Sequence, residues 1–145
     1  MKHLKIFSIL AMIILACTTF VACGSDDDDN GGGSSNSLSG YWTTSPDDFY
    51  KGYKVCRGLY FQNSNTVITY EYVVNGRYWS DQYGDFSVAF PGKSGWYIQD
   101  GAGYSRSYVV LNNKIVISNG MTLTISGNKL IPDGGSASEG YTKCN

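Results

Sequence analysis

Thr66-Val67-Ile68-Thr69-Tyr70-Glu71-Tyr72-Val73-Val74-Asn75-Gly76 is the stretch that decides the fold. β-Branched and aromatic residues fill it almost without interruption, the composition that a pleated, half-buried surface favours. Alternation puts Ile68, Tyr70, Tyr72 and Val74 on one face, opposite Val67, Thr69, Glu71 and Val73. Asn75-Gly76 accepts positive φ at both residues and reads as a hairpin turn. Upstream, Lys54–Gln62 is a strand with Val55, Leu59 and Phe61 on one side, where Arg57 is the exception. Asn63-Ser64-Asn65 joins the two strands with side chains that bond their own backbone.

Downstream the same grammar continues. Tyr78 to Asp81 extends a strand, and Asp85 to Phe90 is another, with Phe86, Val88 and Phe90 on one face. Pro91-Gly92 ends it, Trp96 to Gln99 is a short strand, and Asp100 to Gly103 is a loop. Tyr104 to Leu111, Ile115 to Ser118, Met121 to Ile125, Leu130-Ile131 and Gly140 to Cys144 follow as strands. Turns at Asn112-Asn113, Asn119-Gly120 and Gly127-Asn128 separate them. Pro46-Asp47-Asp48 suits a first helical turn, which predicts a small helix over Pro46 to Tyr50. No run of helical spacing is long enough for anything larger. The fold class is therefore all-β: a small antiparallel meander of about eight to ten strands closing into a barrel. Closure removes the free edges that invite aggregation.

Leu38-Ser39-Gly40-Tyr41-Trp42 carries a Gly-x-Trp. Together with Leu59-Tyr60-Phe61-Gln62-Asn63 running into Thr66-Val67, and Tyr108 to Ile115, it resembles lipocalins and the lipocalin-like domains of Bacteroidota lipoproteins. The resemblance covers most of Leu38 to Lys143. It implies that Gly40 and Trp42 belong to a structural motif, with Trp42 in the first strand plugging one end of the barrel. It also implies a basic partner for Trp42 near the C-terminus, and Lys143 stands there.

The N-terminus reads as an address. Lys2 and Lys5 precede an apolar run from Ile6 to Leu15, and small residues lead to Cys23. That is the layout of a secretory signal, too short for a stable membrane span. Phe20-Val21-Ala22-Cys23 resembles the lipobox of bacterial lipoproteins, in which the cysteine is acylated, and Ser25 to Asp29 resembles the export signal of Bacteroidota surface lipoproteins. Cys17 is the other candidate, but cutting there leaves an apolar stub ahead of the acidic run. The domain plan is a signal over 1–22, an acylated cysteine with an acidic, Gly/Ser-rich tether over 23–37, and the barrel over 38–145. The expected location is the outer membrane, lipid-anchored and facing outward, with the membrane as one partner.

Beyond Leu38 the acidic and basic side chains nearly balance without a basic block, which argues against nucleic acid as a partner. The single histidine is His3, inside the signal. Without it, serine–histidine and cysteine–histidine catalysis and histidine-based metal sites are excluded. Asp47-Asp48 and Asp81 to Asp85 match no calcium-loop spacing, and a body this small offers little to a carboxylate-pair glycosidase. Expected catalytic residues, metal ligands and cofactors are none. Cys56 and Cys144 are either one disulfide formed in an oxidising envelope or two buried thiols.

Twelve tyrosines and three tryptophans are the unusual feature of the body. They either fill a β core or, in the irregular middle, line a binding face. Tyr78, Trp79, Tyr83, Trp96, Tyr97 and Tyr104 are the candidate ligand-binding residues, next to Asn, Asp and Gln that suit sugar rings or peptides. The expected function is non-catalytic binding of a small ligand, glycan or protein partner. The alternatives are an accessory subunit of a surface complex with a packed barrel, and an extracellular protease inhibitor.

Overall fold

A computed structural model describes residues 38–145; the signal, the tether, Cys17 and Cys23 lie outside the described residues. The chain forms β1 (Gly40–Thr43), β2 (Asp47–Tyr50), β3 (Tyr53–Phe61), β4 (Thr66–Asn75), β5 (Tyr78–Ser80) and β6 (Gly84–Ala89). It continues through β7 (Trp96–Gln99), β8 (Tyr104–Leu111), β9 (Lys114–Ile117), β10 (Thr122–Ser126), β11 (Lys129–Pro132) and β12 (Tyr141–Lys143). All pairings are antiparallel.

Eight of these strands close on themselves in the order β3-β1-β12-β11-β10-β9-β8-β4, the ladder between β4 and β3 sealing the ring. Eight strands make an interior just wide enough for side chains to fill. Leu59, Phe61, Val67, Ile115, Ile117, Leu123 and Leu130 fill it, each at most 1 % exposed. Trp42 is buried on β1 and donates from Nε1 to the Leu38 carbonyl at 2.8 Å, and the Tyr108 hydroxyl donates to the Asn63 carbonyl at 2.7 Å.

β3 and β4 are too long for the barrel alone. Their far halves run past one end of it and continue into a second, curled sheet, in which β2 flanks β3 while β7, β6 and β5 follow β4. A bulge lets one strand serve both sheets. Between the Cys56↔Val73 and Gly58↔Tyr70 pairs, β4 carries one residue more than β3. The even alternation of this stretch therefore breaks. Val67 points into the barrel, yet Val73, of the same parity, packs outside it with Cys56, Phe90 and Ile98. Val74 turns instead into a third core with Tyr78 and Phe86.

Three sequence expectations are corrected. Pro46 to Tyr50 is not a helix: Asp47–Tyr50 is strand β2, because Phe49 reaches Tyr72, Tyr78, Tyr83 and Phe86 only from an extended edge. Asn75-Gly76 does turn the chain, with φ +78° at Gly76, but not into a hairpin. β5 leaves to pair with β6, and β4 takes β7 as its neighbour, Gly76 donating to the Gly95 carbonyl at 2.7 Å. Phe86, Val88 and Phe90 do not share a face, since a register shift between Phe86 and Val88 leaves Val88 exposed and sends the two phenylalanines to different cores. The barrel strands number eight, as expected, and the remaining four build the curled sheet.

Candidate functional site

Two concave sites stand out. The first lies on the curled sheet, where β5, the turn after it and the β2–β3 connection meet around a cavity of about 310 Å³. Trp79 is on outermost strand β5 and is 65 % exposed, because its alternation points away from the core that Tyr78 enters. The Tyr78 ring is held against Tyr53 and Phe49, at centroid distances of 4.6 and 5.9 Å. Its hydroxyl is buried with no hydrogen-bond partner, an uncommon state for a polar atom. Tyr83 is fixed twice: its amide donates to the Ser80 hydroxyl at 2.9 Å, and its carbonyl accepts from the Gln99 amide. Tyr50, Asp81 and Gln82 complete the rim, and Lys51, in left-handed geometry at φ 48°, turns the chain there.

Of the six aromatic residues picked from the sequence, Tyr78, Trp79 and Tyr83 share this cavity. The other three lie elsewhere. Trp96 packs half-buried on the core around Cys56, with the Lys93 ammonium 4.3 Å from its ring centroid. Tyr97 packs on the core around Val74, under the Arg77 guanidinium. Tyr104 is at the second site.

That second site is the open mouth of the barrel, a cavity of about 400 Å³ above the packed interior. Leu59 and Tyr141 are buried beneath it, and Met121, Thr69 and Tyr104 stand on its walls. Burial raises the Tyr141 phenol above its ordinary value, with Arg57 pulling the other way. Arg57, Arg106 and Glu71 bring the charge. Sequence reading missed these residues, although Arg57 had shown itself as the polar exception on an apolar strand face. Arg106 was hidden because Tyr104 to Leu111 reads as a strand without saying which side faces inward.

Cys56 and Cys144 are separate thiols in this structure, Cys56 buried and Cys144 half-buried. Cys144 Sγ sits 3.6 Å from Thr43 Oγ1, and Cys56 is buried in its own apolar cluster. That burial pushes the Cys56 thiol up to about 11, Lys93 opposing and Cys144 reinforcing the shift. Trp42 and Lys143 are register partners, with Lys143 Nζ 5.8 Å from the indole centroid. Gly40 opens β1 at φ +108°. Among the described residues no three His, Cys, Asp or Glu side chains cluster to hold a metal ion. Comparison with protein-family models, with curated proteins and with solved structures finds no match to this chain.

Proposed function

We propose that this is a lipid-anchored, non-catalytic binding protein of the bacterial outer-membrane surface, resembling the lipocalin-like lipoproteins of Bacteroidota. It recognises a glycan at the aromatic cavity of the curled sheet. The single observation carrying this reading is Trp79, two-thirds exposed on an edge strand beside a cavity that Tyr78 and Tyr83 also line. Large aromatics left in solvent are characteristic of contact surfaces. A sugar ring offers both complements, an apolar face for Trp79 and hydroxyls for Asp81 and Gln82. The Cys23 anchor and the acidic tether would keep the barrel domain at the membrane surface.

Glycan-array binding by the protein, repeated with Trp79→Ala, tests the reading. Loss of binding with an unchanged melting temperature supports it; no glycan bound by the parent overturns it. Mass spectrometry of the mature N-terminus tests the anchor, which an unmodified Cys23 would refute. The filled barrel interior favours a second reading, an accessory subunit of a surface complex. Co-purification of a stoichiometric partner that Trp79→Ala releases, in place of a glycan, would establish it.

A further inference from the structure

From the inward-facing arginines we infer that the barrel mouth is a binding site for a small organic monocarboxylate with a short apolar or aromatic body. The inference concerns a different cavity from the glycan site, and the two share no lining residue.

The strand ladders fix which way the side chains point. Arg106 is the direct partner of Val67, and paired residues share a face. Val67 is wholly buried in the barrel, so Arg106 enters the barrel too. Arg57 precedes Leu59 by two positions on β3, and Leu59 likewise points inward. The barrel thus aims two guanidinium groups at one cavity, Arg106 half-buried inside and Arg57 at the rim.

Neither has found a carboxylate within the protein. The close ion pairs among the described residues are Lys54–Asp48 and Lys114–Asp133, both away from the mouth. Arg106 Nε is buried with no hydrogen-bond partner, and its guanidinium lies 5.7 Å from the Tyr104 ring centroid. A guanidinium cannot shed its charge, so a desolvated donor of this kind is costly until an anion meets it. Guanidinium and carboxylate are both planar and pair through two parallel hydrogen bonds.

Charge and volume narrow the class. Two arginines and Glu71 leave one net positive charge on the lining, which one carboxylate neutralises and a phosphate dianion overcompensates. Leu59, Met121, Tyr104 and Tyr141 give the rest of the ligand an apolar seat. A cavity of about 400 Å³ is near the small end of ligand sites. Packed side chains below it leave no channel for a long acyl tail.

The test is titration of the protein, followed by calorimetry and amide chemical shifts, with benzoate, phenylacetate, hexanoate and octanoate. 2-Phenylethanol and hexanol serve as uncharged counterparts, and inorganic phosphate as the second anion. At least one carboxylate should bind, and its alcohol should bind about ten- to a hundredfold more weakly, the range of a hydrogen bond to a charged group. Arg106→Met should weaken the acid by a similar factor and leave the alcohol unaffected. The acid–alcohol comparison needs no variant, so it stands even if Arg106→Met fails to fold. Equal binding of acid and alcohol, preference for phosphate, or no binding by any carboxylate would each overturn the inference. Glycan binding at Trp79 is read separately, so either conclusion can fail alone.

Discussion

Arg106 stands directly across the β4–β8 ladder from Val67, a charged group opposite a side chain with no solvent exposure. Burying a cation without a counter-charge works against folding. Replacing Arg106 by Met keeps the apolar stem and removes the charge, so the ligand-free protein should gain about 1 kcal/mol, roughly 4 °C in Tm. Differential scanning calorimetry in ligand-free buffer checks this. A fall in Tm would mean that the guanidinium has partners within the fold.

Neighbours on the curled sheet should respond in opposite ways. Phe86 is 1 % exposed and touches Phe49 and Tyr78, so Phe86→Ala should cost about 3–5 kcal/mol. Trp79 is 65 % exposed, and Trp79→Ala should stay within about 0.5 kcal/mol. Urea unfolding of both variants decides whether Trp79 serves stability or recognition.

Two glycines separate space from conformation. A Cβ on Gly92 would lie 2.2 Å from Tyr41 Cβ, an atom tied to its own backbone, so Gly92→Ala must displace the stacked Tyr41–Tyr60 pair. Its cost should reach about 3 kcal/mol, the upper end of overpacking. Gly101 has open space around its Cβ position but a φ of +69°, and Gly101→Ala should cost about 1 kcal/mol through the backbone alone. Chemical denaturation ranks the two.

Thiol reactivity should be asymmetric. Burial holds the Cys56 pKa at about 11, so near neutral pH almost no thiolate is present there, whereas Cys144 is half-buried. Alkylation of the native protein, mapped by mass spectrometry, should label Cys144 first and Cys56 only after unfolding. Failure to label either residue in denaturant without reductant would reveal a disulfide between them.

Asp133 accepts a hydrogen bond from Lys114 Nζ at 2.9 Å and another from Thr124, and Lys114 chiefly lowers its pKa below the ordinary 3.8. A depressed folded value means that the contribution is present above the unfolded pKa and lost as pH falls through the folded one. Being solvated, it should be small and sensitive to salt. An NMR titration of the Asp133 carboxyl should give a midpoint below 3.8 that Lys114→Met raises.

Much of the barrel could be read from side-chain alternation, because its strands have one wet and one dry face. Tyr104–Leu111 occurs where the pattern placed it, as does Trp96–Gln99 on the curled sheet. The pattern failed wherever tertiary contacts overrode local preference. Asp47–Tyr50 has the composition of a helix start, but as a strand it lays Phe49 against Tyr72, Tyr78, Tyr83 and Phe86. The Glu71–Tyr72 bulge is invisible locally, since alternation carries no mark of the partner strand's length. The candidate sites divide the same way. Trp79 advertised itself by standing among polar loop residues, whereas Arg106 acquires its meaning only from a strand distant in sequence, opposite Val67.

β3 and β4 run unbroken through both sheets, and that continuity makes the molecule one cooperative unit. Loosening the curled sheet would slacken the rails on which the barrel is strung, so heating should yield a single calorimetric endotherm in place of two.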